Sequence, residues 1–428
     1  MTDSSRQVGY LELLRENTSF RRLWTGTVIS LFGDWFNTIA LYSLILQLSG
    51  SEFALGAVFI TKMLPWALAS PIAGILADRF NRRRLMIISD ILRAVVVLGF
   101  LFVDEPSEVV LIYVLTTAQV VLGSVFQPAK SASVPNIVKR EHLVTANTIM
   151  AATWSVLLAL GAAAGGFAVE WLGLEAVFIL DSVSYLISAW FIYRTVIPQF
   201  TYTSRESSLI RSAHREVMDG LKHIKQFPAI RRMATTKAVW AMGGGALVFL
   251  LALLGEAVNP EAASISIGIL FAARGVGTGI GPMLVRTWFR DDRVWPPVIG
   301  TCIVLTGVGY IVAGWIAAVF TASFLVALPV VLAHMAGGAN WVFSTVLLQQ
   351  RVVDQFRGRV FATEWLLVMG MESISIFVAS LILELGLLSL VQVIILFGSI
   401  SVLAGVFWLF SVVPAEKKDQ IAGNIPRS

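Results

Sequence analysis

Gly74-Ile-Leu-Ala-Asp78-Arg79-Phe-Asn-Arg82-Arg83-Arg84 is a short, strongly basic turn with one acid at its mouth. Mostly apolar sequence precedes this turn, and mostly apolar sequence follows it. On each side the run has roughly the 20 residues that a helix needs to cross the hydrocarbon core of a bilayer. A basic hairpin between two such runs is typical of a cytoplasmic loop in a membrane protein.

Composition places the whole chain in the same class. Of its 428 residues, 57% are hydrophobic and only 14% are charged, whereas a soluble domain carries about 25% charge. A single water-soluble core cannot hide so much apolar surface, so the bilayer must act as part of the solvent. The net charge of +5 is explained by its location in loops and does not indicate nucleic-acid binding. The one cysteine, Cys302, excludes an intrachain disulfide and an all-cysteine metal site.

Apolar runs of spanning length recur along the chain and predict an all-α integral membrane protein with twelve transmembrane helices. The predicted spans are roughly 22–48, 53–77, 84–103, 108–128, 143–167, 174–195, 231–255, 263–287, 295–315, 319–345, 360–383 and 388–413. The N-terminal 22 residues are polar and lack the features of a cleaved signal peptide. We therefore expect the first span to be retained.

The loops between the predicted spans alternate in charge. One set holds Arg79/Arg82/Arg83/Arg84, Lys130/Lys139/Arg140, Arg286/Arg290/Arg293 and Arg351/Arg357/Arg359. The other set holds Glu52, Asp104/Glu105/Glu108, Glu170/Glu175, Glu256/Glu261 and Glu384, without Lys or Arg. The positive-inside rule assigns the basic set and both termini to the cytoplasm, so we expect a multi-pass membrane protein.

The longest predicted loop divides the chain. We predict six-helix bundles over 1–195 and 231–428, joined by a cytoplasmic linker over 196–230. The linker has an apolar stripe at helical spacing, with basic residues off the stripe. The stripe consists of Ile210, Ala213, Val217, Leu221 and Ile224, and the cations are Arg211, Arg215, Lys222 and Lys225. This pattern favours an amphipathic linker helix, with a regulatory or partner-binding role as the alternative.

An internal repeat supports two pseudo-symmetric halves. The segment that runs from Gly56 through Phe59 to Lys62 matches Gly268 through Phe271 to Arg274 at identical offsets. A second match relates Val125–Asn147 to Val342–Glu364. Many secondary transporters are built from such repeats and bind substrate between the halves.

The basic turn resembles the signature of the major facilitator superfamily, Gly-x-Leu-Ala-Asp-Arg-x-Gly-Arg-Arg/Lys. The matching residues are Gly74, Leu76, Ala77, Asp78, Arg79, Arg82 and Arg83. Asn81 stands where the pattern has Gly, and Asn tolerates the left-handed turn conformation that Gly would supply. The second-half copy near Gly281–Arg293 lacks the acid.

Further stretches resemble one bacterial efflux branch of that family, which includes enterobactin-exporter-like and macrolide-efflux-like proteins. These are Gly33-Asp34-Trp35, Gln127–Pro135, Leu143–Asn147, Asp181–Ser184, Gln350-Arg351 and Arg357–Val360. The resemblance covers about residues 20–413. It implies export across the bacterial inner membrane, driven by the proton gradient, with a small-molecule substrate and protons as partners. It does not define the substrate.

Ionisable residues inside predicted spans are functional candidates, because charge in lipid is costly unless it is paired or wetted. The candidates for proton coupling or substrate contact are Asp34, Lys62, Arg93, Arg274, His334 and Glu372. Asp34 and Glu372 are the expected proton carriers, and Lys62 or Arg274 would modulate them. The alternative for Asp34 is a permanent ion pair with Lys62 or Arg93. Asp90 and Arg93 are three residues apart and can pair on one helix face.

Asp78 lies at the mouth of the basic turn, where it can pair with an arginine or with a helix N-terminus. The resemblance implies that Gly74, Asp78, Arg79, Arg82 and Arg83 form a cytoplasmic gate that latches the two halves together. The alternative is that the motif only determines topology.

Other functional classes have little support in the sequence. We find no phosphate-binding Gly-x4-Gly-Lys-Ser/Thr loop and no Gly-x-Ser-x-Gly or His-Glu-x-x-His motif, so neither ATP-driven transport nor an enzyme is expected. We expect a proton-coupled exporter of amphipathic small molecules that works as a monomer without cofactor or metal. A siderophore exporter or a lysophospholipid flippase is an alternative within this class, and a membrane sensor or scaffold is one from another class.

Overall fold

The computed structural model describes residues 8–198, 209–320 and 322–422, and all their side chains except those of 209–213 and 354–355. The regular elements in these ranges are helices. Twelve of them are long and apolar enough to cross a membrane, which confirms the predicted fold class and number of spans. The helices are α1 (Tyr10–Glu16), α2 (Thr18–Ser49), α3 (Glu52–Arg79), α4 (Arg82–Leu98), α5 (Val109–Ile137), α6 (Leu143–Leu172), α7 (Leu174–Tyr193), α8 (Leu209–Gln226), α9 (Pro228–Val258), α10 (Ala263–Trp288), α11 (Trp295–Val319), α12 (Ser323–Arg351), α13 (Asp354–Glu384), α14 (Leu390–Phe407) and α15 (Val413–Ile421).

Several helices begin where the sequence offers a capping side chain. Asn17 and Ser51 each accept a hydrogen bond from the backbone N–H three residues on. Asn81 caps α4 in the same way, with its side chain 3.0 Å from the backbone nitrogen of Arg84 and an extended φ of −64°. Asn81 therefore does not use the left-handed conformation that it could tolerate, because its role here is to cap a helix.

The two ends of the bundle carry opposite charge. We call the end with the Arg82–Arg84 turn the basic end and the opposite end, with Glu52 and Glu384, the acidic end. Within the first half of the chain, α2 packs on α6 and α7, and α4 packs on α5 and α7. Within the second half, α11 packs on α12 and α14, and α9 packs on α13 and α14. The two groups meet mainly where α3 lies against α13 and where α6 lies against α10.

Glycines allow close approach at both of these crossings. A Cβ on Gly56 of α3 would lie 2.6 Å from the Cβ of Ser380 on α13. A Cβ on Gly268 of α10 would lie 2.6 Å from the carbonyl oxygen of Ala162 on α6. Gly56 and Gly268 are equivalent positions of the internal repeat. The repeat therefore places one small residue at each contact between the halves.

Gly166→Ala tests the crossing of α6 and α10. A Cβ at Gly166 would lie 2.4 Å from the carbonyl oxygen of Ser264, so α6 and α10 must move apart. We expect the free energy of unfolding to fall by about 1–3 kcal/mol, measured by thermal unfolding in detergent. Gly370→Ala is the matched control, because a Cβ there would meet nothing within 4 Å. Equal stability of the two variants would contradict this account of the crossing.

Four aromatic residues close the bundle near the acidic end, and we call them the aromatic seal: Tyr42, Phe59, Phe249 and Phe271. Tyr42 stacks on Phe59 at 4.4 Å between ring centroids and lies 5.7 Å from Phe271. Phe59 meets the edge of Phe249 at 5.6 Å. All four are buried and come from α2, α3, α9 and α10, so each half supplies two. Closer to the acidic end, Ser43 hydrogen-bonds Ser264 at 3.0 Å, and Ser51 donates to Glu384 at 2.7 Å.

Packing is looser on the basic side of the seal. Residues 37–46 of α2 and 243–255 of α9 are all buried on the acidic side. By contrast, residues 60–66 of α3, which follow Phe59 toward the basic end, are all partly exposed. Exposure on every face of this segment means that part of it borders open space inside the bundle. The bundle is thus closed at the acidic end and more accessible from the basic end.

Helix α8 lies within the predicted linker, and residues 199–208 are outside the described ranges. It packs mainly on α13, where Thr363 donates to the carbonyl of Val217 at 3.3 Å. The ring of His223 stacks on Phe356 at 4.4 Å, and Ile224 is buried. Burial lowers the pKa of His223, so its imidazole is neutral at pH 7. These contacts fasten α8 to the second half of the chain.

Candidate functional site

A layer of polar groups lies one helical turn from the aromatic seal, on its basic side. Lys62 follows Phe59 by three residues and donates to the hydroxyl of Thr38 at 2.7 Å. Thr38 precedes Tyr42 by four residues and donates to the backbone carbonyl of Asp34 at 2.7 Å. The Lys62 ammonium also lies 5.7 Å from the ring centroid of Tyr42. Thr38 thus links the cation of α3 to the helix that carries Asp34.

Arg274 belongs to the same layer and has no polar partner among the described residues. It follows Phe271 by three residues, and its guanidinium carbon lies 5.9 Å from that ring. Its Nε is buried without a hydrogen-bond acceptor. A buried donor without a partner costs about 1–3 kcal/mol. The guanidinium of Arg274 is therefore available to a hydrogen-bond acceptor on a bound ligand.

Glu372 is the acidic member of the layer. Its side chain is 6% exposed, and the described residues contain no cation within 4.0 Å of its carboxylate and no hydrogen-bond donor to it. It lies against Gly245, where a Cβ would come within 2.8 Å of the Glu372 Cα. Gly245 precedes Phe249 of the seal by four residues. Glu372 and Arg274 interact electrostatically, yet they do not form an ion pair.

Asp34 forms a hydrogen-bonded chain inside the first half. Its carboxylate accepts from the hydroxyl of Tyr185 on α7, which in turn accepts from the amide of Gln119 on α5 at 3.0 Å. Within the described ranges, no lysine or arginine lies within 4.0 Å of the Asp34 carboxylate. The alternative of a permanent ion pair with Lys62 or Arg93 is therefore wrong in this conformation.

Arg93 is occupied by other partners. It pairs with Asp90, as the spacing predicts, and both side chains are buried. Its guanidinium also lies 4.2 Å from the ring of Tyr185 and 5.0 Å from the ring of Phe126. Arg93 of α4 therefore packs against the Tyr185 ring, and the hydroxyl of the same tyrosine donates to the Asp34 carboxylate.

Asp181 is a buried acid whose role the sequence did not reveal. It is fully buried on α7, accepts from Ser184 at 3.3 Å, and leaves its Oδ2 without a partner. A Cβ on Gly33 would lie 2.5 Å from its Oδ1, so the glycine before Asp34 is what lets Asp181 fit against α2. The signal available was an acid in the middle of an apolar span.

The structure gives His334 and two other buried groups protein partners. The Nε2 of His334 lies 2.8 Å from the Tyr310 hydroxyl. Lys237 and Glu364 form a buried ion pair at 2.9 Å, and Lys237 also donates to Thr345 at 2.8 Å. Sequence reasoning did not single out Lys237, although a lysine inside an apolar span was the available signal. Groups that have protein partners of this kind are better suited to structure than to transport.

The basic turn is anchored within the first half of the chain. Asp78 is 74% exposed on its side chain and pairs with Arg82 at 3.5 Å. Arg82 donates to the carbonyl of Ala132 at 2.7 Å. Arg83 donates to the carbonyls of Ile192 and Tyr193. Three further residues of the motif complete the turn: Gly74 is open on all sides, Arg79 ends α3, and Asn81 begins α4.

Comparison with known proteins places this arrangement in a family. Residues 23–363 match the profile of the Major Facilitator Superfamily. The Bacillus subtilis protein named "Uncharacterized MFS-type transporter YfiS" is 27% identical over 222 residues, which span 51% of this chain and 52% of that relative. The Bacillus subtilis protein named "Putative bacilysin exporter BacE" is 26% identical over 363 residues, or 82% of this chain and 85% of that relative.

A solved structure of peptide transporter POT in complex with alafosfalin has the same fold, with a TM-score of 0.76 at 11% identity. That superposition covers 96% of this chain and 97% of the other. Twelve apolar helices around a layer of unpaired charges define a multi-pass membrane transporter for a small molecule. The chain belongs to the major facilitator superfamily.

Proposed function

We propose that this transporter exports an amphipathic small molecule across the bacterial cytoplasmic membrane in exchange for protons. The observation that carries the proposal is the Asp34 carboxylate, which lies inside the membrane-spanning bundle with a tyrosine hydroxyl instead of a cation. A carboxylate fixed by a strong ion pair stays charged throughout. One that is held only by hydrogen bonds can take up and release a proton during a cycle.

The basic end is the cytoplasmic end in this proposal. All the arginine-rich connections lie there, and cytoplasmic loops are those that retain Lys and Arg. Both chain termini are then cytoplasmic, and the aromatic seal lies toward the exterior. The conformation described here would receive substrate from the cytoplasm.

Transport follows from rocking of two bundles, over residues 1–195 and 231–428, about the glycine crossings. Tight contacts of backbone on backbone let helices slide without large side chains having to repack. As the basic end closes, Tyr42 and Phe59 would part from Phe249 and Phe271. The charged layer would then face the exterior, where substrate leaves and a proton enters.

Proton and substrate are coupled through charge in the layer. Thr38 joins Lys62 to the backbone of Asp34, and the Lys62 ammonium also interacts electrostatically with the Asp34 carboxylate. Protonation of Asp34 removes an anion that attracts Lys62, and the lysine then holds an anionic substrate group more strongly. Release of that proton to the cytoplasm resets the site. Glu372 is the second proton carrier in this scheme, and neither step needs a cofactor.

The substrate class is narrowed by the same layer. Lys62 and Arg274 suit a molecule with an anionic group, and drugs, metabolites, siderophores and lysophospholipids all include such molecules. The relative named as a bacilysin exporter supports the direction of transport. A sensor or scaffold has no support from the family or its relatives. We propose that one chain is sufficient for the cycle, because each half contributes to the seal and to the layer.

The test is proton movement in liposomes that contain the purified protein and a pH-sensitive dye. The compounds to add are those to which a deletion strain is more susceptible. Their transport should change the pH of the lumen in proportion to substrate flux. Empty liposomes provide the baseline. Substrate movement without any proton movement would contradict antiport.

Asp78→Asn tests the gate motif. Among the described residues, Asp78 pairs with Arg82 of its own turn, and its side chain is largely exposed. We propose that it pairs across the halves when the basic end closes. Its loss should therefore slow transport several-fold without affecting membrane insertion. Transport at the wild-type rate, measured in the liposome assay against equal amounts of inserted protein, would leave the motif as a topology determinant only.

A further inference from the structure

Four tryptophans form a continuous wall on the basic side of the charged layer. Trp66 of α3 meets Trp365 of α13 with 5.4 Å between ring centroids, and Trp365 meets Trp341 of α12 at 5.6 Å. Trp341 meets Trp240 of α9 at 6.2 Å. All three contacts are edge-to-face, so ring faces remain available for other groups. Trp66, Trp341 and Trp365 are partly exposed.

The wall and the layer share helix faces. Trp66 follows Phe59 of the seal by seven residues on α3, and Glu372 follows Trp365 by seven residues on α13. Residues seven apart on a helix lie on one face about 10 Å apart. The open space beyond the seal is therefore bordered by indole rings on one side and by the charged layer at its closed end.

Two charges of the layer, of opposite sign, have no polar partner among the described residues. Arg274 and Glu372 are both without hydrogen bonds or ion pairs among the described side chains, although each affects the other electrostatically. Two further cations near the wall have protein partners. Lys237 is neutralised by Glu364 and lies 4.7 Å from the Trp341 ring, and Lys62 is bound to Thr38.

We propose, resting on the proposed export function, that the substrate is a zwitterion with an aromatic or bulky apolar body. Its carboxylate binds Arg274. A planar guanidinium can form two parallel hydrogen bonds with a carboxylate, which a lysine ammonium cannot. Its ammonium binds Glu372, and its body packs on Trp66 and Trp365. A neutral or singly charged molecule leaves at least one of the two protein charges unpaired, which disfavours its binding.

Binding of matched ligands tests this assignment. The probes are phenylalanine and phenylalanyl-phenylalanine, each with its amide, which lacks the anion, and its N-acetyl form, which lacks the cation. Isothermal titration of the full-length protein in detergent measures each dissociation constant. We expect at least one zwitterion to bind about tenfold more tightly than either of its derivatives, the loss typical of one charged hydrogen-bonding group.

Two variants assign the charges separately. Arg274→Gln should abolish the preference over the amide and keep the preference over the N-acetyl form. Glu372→Gln should do the reverse. Arg286→Gln and Glu170→Gln, at exposed positions, should keep both preferences, and elution of each variant as a single species by size exclusion shows that it is folded.

Several results would overturn the assignment: no binding of either zwitterion, equal binding of the three forms, or preferences unchanged in the two variants. These outcomes are separate from the proposed function. Charge-dependent binding without proton flux would contradict antiport and leave the zwitterion site intact. Proton flux together with binding that does not depend on ligand charge would contradict the zwitterion site and leave antiport intact.

Discussion

Asp34→Asn should reduce substrate-driven proton flux to the level of empty liposomes while leaving substrate exchange intact. Asparagine has the shape of the protonated acid and still accepts a hydrogen bond from Tyr185, but it cannot release a proton. The variant should therefore exchange labelled for unlabelled substrate across the membrane and fail to concentrate substrate with a proton gradient. Both readouts come from one preparation of proteoliposomes.

Retained exchange separates a coupling defect from a folding defect. Asp104→Asn, an exposed acid at the acidic end, is the matched control and should keep full proton flux. Tyr185→Phe removes the hydroxyl but keeps the carboxylate, so coupling should persist at a lower rate. If Asp34→Asn moves protons as the wild type does, Asp34 is a structural group, and the proton carrier must be sought at Glu372 or Asp181.

The sequence was sufficient for features that the bilayer imposes directly. The number of spans follows from the length of apolar runs, because each run must satisfy its backbone within one helix. The internal repeat was also visible, and the structure explains its three matched residues. Gly56 and Gly268 sit at the crossings between the halves, Phe59 and Phe271 form part of the seal, and the cations that follow lie in the charged layer.

The sequence could not predict which buried side chains contact each other inside the membrane. Depth along a helix follows from counting residues, but the facing side chain depends on how helices rotate and pack. The candidate partners for Asp34 were cations at similar depth, Lys62 and Arg93. The structure supplies Tyr185 instead, because Gly33 brings α2 close to α7 at this level. The Lys237–Glu364 pair likewise joins α9 to α13, which are far apart in the sequence.

Glu416→Gln should lower the stability of the second half strongly. Glu416 is 1% exposed and receives three contacts from two arginines: Arg351 at 2.7 and 3.0 Å and Arg232 at 2.5 Å. Glutamine keeps the shape but removes the carboxylate that both guanidinium groups share, although Arg232 also pairs with Asp419 at 2.5 Å. Breaking one side of a buried ion pair costs about 3–5 kcal/mol. We expect the melting temperature in detergent to fall on the order of 10 °C.

Lys417→Gln provides the comparison, because the neighbouring side chain is exposed and its loss should change stability by less than about 0.5 kcal/mol. Arg351 also donates to the carbonyl of Ala229 at the start of α9, so the cluster joins α9, α12 and α15 at the basic end. Removing α15 at residue 412 should therefore destabilise the bundle at least as much as Glu416→Gln does, because it also removes Asp419, the other acid that pairs with Arg232. If both variants have the melting temperature of the wild type, the C-terminal helix does not fasten these helices together. The cluster of three charges would then make no contribution to stability.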